Sequence, residues 1–302
     1  MEENTFLKTP MQVSENNLLE LMENIILKTT KEDSKVLLYC LNNPNFAFAL
    51  ATNERISFIL DNNPLTKIHT QCQFSYPSSA GLKNRLKEIK ISCFEMPPDM
   101  SKYFAPRIYN ELLSFKEFLK NSPDDSINLW IKCLINSFLA PTNTKIPEDM
   151  ELKEFIVNKY KQIYQNVSST KLLILNPYIP NFLSSPTELE SIFSHKAHLI
   201  YYAPSIFEKD RFYKQNFLRM WFFDITEQDL LKMSKINFEQ QLNQNFILIN
   251  KILETGGILY IEIQDIQKME KFFKIATFYG YKNIQYYQSS NPKNILLLKK
   301  FF

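Results

Sequence analysis

The strongest constraint on the fold lies in the last sixty residues, where helical and strand periodicities alternate without a gap. Phe238 to Leu253 carries apolar residues at helical spacing and meets Thr255-Gly256-Gly257. The run Ile258-Leu259-Tyr260-Ile261-Glu262-Ile263 has the length and composition of a buried strand. A helix from Ile266 to Phe278 then stops at Gly280, a residue that closes helices because it tolerates the left-handed conformation. Asn283 to Gln288 and Asn294 to Lys300 complete the chain as two strands joined by Ser289-Ser290-Asn291-Pro292-Lys293, a hairpin connection. Such alternation predicts an α/β fold with helices laid on a sheet.

The amino-terminal part has the same order. Ser14 is placed to cap a helix over 14–28, in which Leu18, Leu19, Met22, Ile25 and Ile26 form one apolar face. Lys35 to Leu41 reads as a buried strand, Asn42-Asn43-Pro44-Asn45 as a turn, and the following Phe-Ala-Phe-Ala-Leu-Ala as a helix. Ile56 to Leu60 is the next strand, ending at Asp61, and Ile89 to Phe94 is expected to be the third. Helix, strand, turn, helix, strand is how a parallel, doubly wound sheet begins.

Between these parts the pattern changes. Residues 108–120, 126–139 and 148–165 have helical character, with a Pro- and Thr-containing break at 140–147. The expected organisation is therefore a half-domain over 1–99, a helical insertion over 100–168 and a second half-domain over 169–302. Strand character returns at Lys171 to Leu175, running into Asn176-Pro177-Tyr178, and at His198 to Tyr202.

Composition narrows the function classes. A net charge of +3, with 35 basic against 32 acidic residues, is too small for a dedicated phosphate-binding surface. Cys40, Cys72, Cys93 and Cys133 lack paired metal spacing and form no dense disulfide framework, which reads as a reducing intracellular compartment, cytoplasmic or nuclear. An acidic, polar amino terminus and the lack of an apolar run of about 18 residues predict no secretory signal and no membrane partner. His195 and His198 have metal-like spacing but no accompanying ligands, so a surface or capping role is expected. No Gly-flanked nucleophile and no phosphate-cradling loop occurs.

The residues quoted above resemble the class I S-adenosylmethionine-dependent methyltransferases. "ILETGGILYIEI", helix, "FYGYKNIQYY" and a terminal hairpin strand are similar to the family's "LkpGG" turn, fifth strand, "Gf" turn and closing strands. "KVLLYCLNNPNFAFALA" occupies the place of "vLDlctGsGaiAlaLA", and Phe6-Leu7-Lys8-Thr9-Pro10 is similar to an entry segment of the Asn-Pro-Pro-Tyr amino-methyltransferases, the N6-adenine and release-factor glutamine enzymes. The resemblance covers about residues 5–95 and 170–302. It implies a doubly wound, Rossmann-like sheet with a terminal antiparallel hairpin, and S-adenosylmethionine as cofactor. Asn42, Asn43 and Asn45 would line the cofactor turn and Asp61 would hold the ribose hydroxyls. Asn176, Pro177 and Tyr178 would form the motif that grips the target amino group. An alternative places that motif at Ala203-Pro204-Ser205-Ile206, after the His198–Tyr202 strand, as in the mRNA-adenosine methyltransferases and their non-catalytic partners.

The departures are equally specific. The family turn is Gly-rich because backbone must pass close to the cofactor, whereas the chain has only four glycines and none of them there. Leu38 stands where the family has an acid, and Asn176-Pro177-Tyr178 is one proline short. These substitutions predict weak S-adenosylmethionine binding or none, and a pseudoenzyme that scaffolds or positions substrate for a catalytic methyltransferase subunit. Alternatives are an active amino-methyltransferase acting on adenine or a protein glutamine, and a nucleic-acid-binding module. Phe212, Tyr213, Phe217, Trp221, Phe222 and Phe223, interleaved with Lys209, Arg211, Lys214 and Arg219, could serve the last as a stacking surface, or could form a partner interface or a partly buried core strand. Glu262, by strand alternation, is expected to be solvated or paired.

Overall fold

The computed structural model describes residues 11–13, 15–41, 44–61, 63–74, 76–139, 151–164, 176–193, 196–203, 209–226, 228–229, 238–263, 269–289 and 294–301. In chain order the elements begin with β1 (Met11–Val13), α1 (Glu15–Thr29), β2 (Lys35–Tyr39), α2 (Pro44–Thr52), β3 (Ile56–Leu60) and α3 (Pro64–Gln71). The helices α4 (Ser79–Glu88), α5 (Pro106–Lys120), α6 (Ser126–Phe138) and α7 (Leu152–Tyr164) follow. Then come β4 (Asn181–Phe182), α8 (Thr187–Ile192), β5 (Ala197–Tyr202), α9 (Lys209–Phe222) and α10 (Phe238–Ile252). The last are β6 (Leu253–Ile263), α11 (Met269–Phe278), β7 (Tyr281–Ser289) and β8 (Asn294–Lys300). Two compact units result, one of residues 1–70, 174–206 and 235–302, the other of residues 71–173 and 207–234.

The first unit is built on an eight-stranded sheet in the order β1-β7-β8-β6-β5-β2-β3-β4. Strands β4, β3, β2, β5 and β6 run parallel, and β8 enters antiparallel between β6 and β7. This is a doubly wound, Rossmann-like sheet with a terminal antiparallel hairpin, as the sequence predicts. Val36, Leu37 and Leu38 of β2 are all fully buried because helices cover both faces of a parallel sheet. Leu37, Ile200, Leu259, Ile261 and Leu296 face α10 and α11, where Phe246, Ile249, Phe272 and Ala276 complete the core. On the opposite face Phe46 of α2 packs against Tyr201 and Tyr260 at centroid distances of 4.6 and 5.1 Å.

Gly280 has φ +81° and its N–H bonds the Thr277 carbonyl, ending α11 as expected. The Thr255-Gly256-Gly257 segment is not a turn preceding the strand. It is a bulge within β6, whose register against β5 jumps from Ala197↔Leu253 to Leu199↔Ile258, with Gly256 at φ +85°.

A second correction concerns the third strand. Residues 89–97 form none: Ser92 and Phe94 give their N–H groups to Ser114 Oγ and Asn110 Oδ1 of α5, and Ile91 is exposed. Side chains of α5 take two of its amides, and the run pairs with no described strand. The strand beside β3 is instead the two-residue β4, more than a hundred residues later in the chain. The expected strand at 171–175 lies outside the described residues.

The second unit is helical. The carboxylate of Glu111 on α5 accepts the N–H of Leu152, the first residue of α7, and so caps that helix from a neighbour. Trp130 of α6 is buried between the rings of Tyr76 and Tyr160. The aromatic-basic stretch forms the helix α9, not a strand. Trp221 stacks on Tyr109 and lies tilted against Phe104, while Lys116 lies 5.5 Å from its ring centre and bonds its carbonyl. Arg219 donates to the Asn136 carbonyl and to Asn216 Oδ1. Trp221 and Arg219 are both half-buried. No described helix is long and apolar enough to cross a membrane.

Candidate functional site at the carboxyl edge of the sheet

Open α/β sheets take ligands at the carboxyl ends of their strands, and here the central ends are those of β2, β3 and β5. The chain leaves β2 through Cys40, whose φ of +54° is left-handed although it is not glycine. Its N–H bonds the Leu60 carbonyl at 2.9 Å, and the Ala203 N–H bonds the Tyr39 carbonyl at 3.1 Å. The three strand ends are thus laced together. Pro44 opens α2, where its missing N–H costs nothing, and Asn45 is exposed on the first turn of that helix. Asn42 and Asn43 lie outside the described residues.

Asp61 follows β3, and its carboxylate is taken up by the protein. Oδ1 accepts the Asn63 N–H at 2.7 Å and Oδ2 accepts the Thr66 hydroxyl at 2.8 Å; the Leu41 N–H is a third donor. Burial outweighs these bonds and pushes the carboxyl up to about 6. Burial, and then the Asp61 charge, push the Cys40 thiol up as well, which leaves it a poor nucleophile.

A polar rung beside these ends was not singled out in the sequence. Tyr39 Oη donates to Asn245 Oδ1 at 2.5 Å, and Asn245 Nδ2 donates to Tyr202 Oη at 2.8 Å, with the two tyrosine rings stacked at 5.4 Å. Burial holds both phenols above the usual range. The signal was present: Leu242, Phe246 and Ile249 define the buried face of α10, and Asn245 is the polar residue on it.

Asn176-Pro177-Tyr178 is not part of this edge. It forms a single 3₁₀ turn ahead of β4, whose first residue Asn181 is level with Phe58, and the Tyr178 hydroxyl bonds Asp33 at 3.2 Å in the turn preceding β2. The tripeptide therefore sits toward the amino edge of the sheet, across from Asp61. The strand on the other side of β2 is β5, so the position after the central strand is Ala203, buried and without a polar side-chain atom. Of the two strands nearest the candidate motifs, β5 pairs with β2 and β4 pairs with β3.

Leu38 is fully buried on the face opposite α10, and Glu262 is buried and accepts from Tyr201 Oη at 2.9 Å, paired and not solvated. His198 bonds Glu254 at the amino ends of β5 and β6. His195 is outside the described residues, and among those described no cluster could hold a metal ion.

No protein-family model matches the sequence, and no curated protein matches it. Similar solved structures include an rRNA methylase from Streptococcus thermophilus, at 8% identity and a TM-score of 0.36 over 93% of this chain and 95% of that one. The precorrin-6y C5,15-methyltransferase of Geobacter metallireducens is similar at 8% identity and a TM-score of 0.37, covering 99% and 97%. The aviRa rRNA methyltransferase of Streptomyces viridochromogenes matches at 8% and 0.37, covering 93% and 83%. The class of fold rests on strand order and register in the chain itself.

Proposed function

We propose that the chain is a methyltransferase-fold subunit whose S-adenosylmethionine site has decayed, and that it acts as a non-catalytic scaffold or substrate-positioning partner of an active methyltransferase. One observation carries the reading. The acid that would hold the ribose, Asp61, has both oxygens engaged by Asn63, Thr66 and Leu41, and so fastens its own turn. Two further positions agree with it. Leu38 puts a buried alkyl group where the family has an acid, and Ala203 puts a methyl group at the end of the central strand. An amino group awaiting transfer needs an acceptor to orient its lone pair, and a methyl group supplies none.

Isothermal titration of the purified chain with S-adenosylmethionine tests the proposal, alongside transfer of labelled methyl groups to bulk RNA, DNA and protein. The expected result is no saturable heat and no transfer by the chain alone, with transfer restored by a subunit that copurifies with it. Binding at micromolar concentration or tighter, together with transfer by the chain alone, would instead establish an active amino-methyltransferase.

A further inference from the structure

Two of the four cysteines are brought together from distant parts of the sequence. Cys72, in the 3₁₀ turn Cys72–Phe74, and Cys133, in the middle of α6, are separated by 61 residues, yet their sulfurs are 2.6 Å apart. That is well inside the contact distance of two non-bonded sulfur atoms. Both side chains are buried, at 5% and 9% exposure, whereas Cys93 is exposed and Cys40 lies at the sheet edge of the other unit. The surroundings are aromatic: Tyr76 stands within electrostatic reach of both thiols and packs on Trp130, one turn before Cys133 on α6.

We infer that Cys72 and Cys133 are a dithiol–disulfide couple that closes into a covalent bridge in the folded protein. The chemistry balances with one small-molecule disulfide, such as glutathione disulfide. One cysteine sulfur attacks it and expels a thiol, giving a mixed disulfide. The second cysteine sulfur then attacks the protein sulfur of that intermediate and expels the other thiol. Two S–H bonds are lost, one protein S–S bond forms, and the two protons leave on two molecules of reduced glutathione. The hydrogen bond between the sulfurs, and then burial, push the Cys72 thiol up. Few thiolates exist at neutral pH, so closure is slow, and burial makes reopening by an added thiol slow as well. It is a structural staple rather than a fast sensor. Closing a loop of this length across the helical unit restricts its unfolded chain.

The test uses the full-length protein equilibrated with glutathione disulfide, then unfolded and alkylated. The alkylatable thiols should fall from four to two, the intact mass should drop by about two hydrogens, and a non-reducing peptide map should join the Cys72 and Cys133 peptides. The midpoint of thermal unfolding should rise by roughly 5–10 °C and return on adding dithiothreitol. Cys133→Ser should abolish both effects, while Cys40→Ser and Cys93→Ser leave them in place. Should Cys133→Ser fail to fold, the peptide map of the unaltered chain decides alone. Four alkylatable thiols after equilibration, stable glutathione adducts on Cys72 or Cys133, or a cross-link through Cys40 or Cys93 would each overturn the inference.

Discussion

Replacing Asp61 by asparagine should make the protein more stable at neutral pH, and less so as the pH falls. Asp61 is a carboxylate whose folded-state pKa is raised from 3.8 to about 6, chiefly by burial and against the pull of three hydrogen bonds. Between those two values the folded state keeps a proton that the unfolded chain has released. Stability therefore falls as the pH rises through this window and levels off above it. A gap of roughly 2 pH units corresponds to about 3 kcal/mol of cost at neutral pH. The asparagine carries no charge and keeps the shape. Its Oδ1 can accept from Asn63, and its Nδ2 can donate to Thr66 Oγ1, whose hydroxyl hydrogen turns away. Exchanging a charged for a neutral acceptor weakens the bonds that remain, a loss of about 1 kcal/mol. The net expectation for Asp61→Asn is a gain of about 2 kcal/mol at pH 8 and little difference at pH 4.

Urea unfolding followed by far-ultraviolet circular dichroism from pH 4 to 8 measures the difference, with hydrogen exchange of the β2 and β3 amides assigning it to the sheet. Both tryptophans, Trp130 and Trp221, belong to the helical unit, so their emission reports the unit that Asp61 is not in. Parallel pH profiles for the two proteins, or a variant less stable at pH 8, would refute the reasoning. An acid retained at a stability cost and then tied inward differs from one held free for a ribose. Accordingly Asp61→Asn should leave the response to S-adenosylmethionine unchanged.

Other substitutions probe the packing that holds the edge. Arg55 is 5% exposed and donates to Thr30 Oγ1, to the Thr30 carbonyl and to the Asn53 carbonyl, closing the ends of α1 and α2; Arg55→Ala should cost about 3 kcal/mol in urea unfolding. Asn245→Leu removes the partner of both Tyr39 and Tyr202 and should cost about 2–4 kcal/mol, seen as faster exchange in β2 and β5. Trp221→Ala should destabilise the helical unit by about 3 kcal/mol, read from the emission of Trp130 during unfolding; an unchanged midpoint would return Trp221 to the role of a surface contact.

The sheet was legible because its strands are continuous apolar runs separated by recognisable turns. Val36 to Leu38 and Leu259 to Ile261 have no alternation to misread, and Gly280 stops α11 where a left-handed residue is required. Pairing was less legible. A two-residue edge strand such as β4 carries no periodicity, while Ile89 to Phe94 carries enough to pass for a strand although its amides are satisfied by Ser114 and Asn110. Nor does the sequence say at which edge of the sheet a turn such as Asn-Pro-Tyr lies, which the pairing of β4 with β3 and the Tyr178–Asp33 bond show to be the amino edge.

What the sequence states at the site is substitution, because reading the identity of a residue needs no three-dimensional knowledge. Leu38 and the glycine-free turn were visible at once. What it could not express was satisfaction. An aspartate before Asn-Asn-Pro reads equally as a ligand for a sugar or as the acceptor of its own turn, and to this the structure adds the Asn63 and Thr66 donors against its oxygens. In α9 the sequence leaves a recognition surface, a partner interface and a partly buried core open, and the structure adds that Trp221 and Arg219 are half-buried against Tyr109, Phe104 and Asn136. A polar or aromatic side chain can bind a partner only with the surface and bonding capacity that its own fold has left over, which makes hydrogen-bond accounting, rather than residue type, the test of a candidate site.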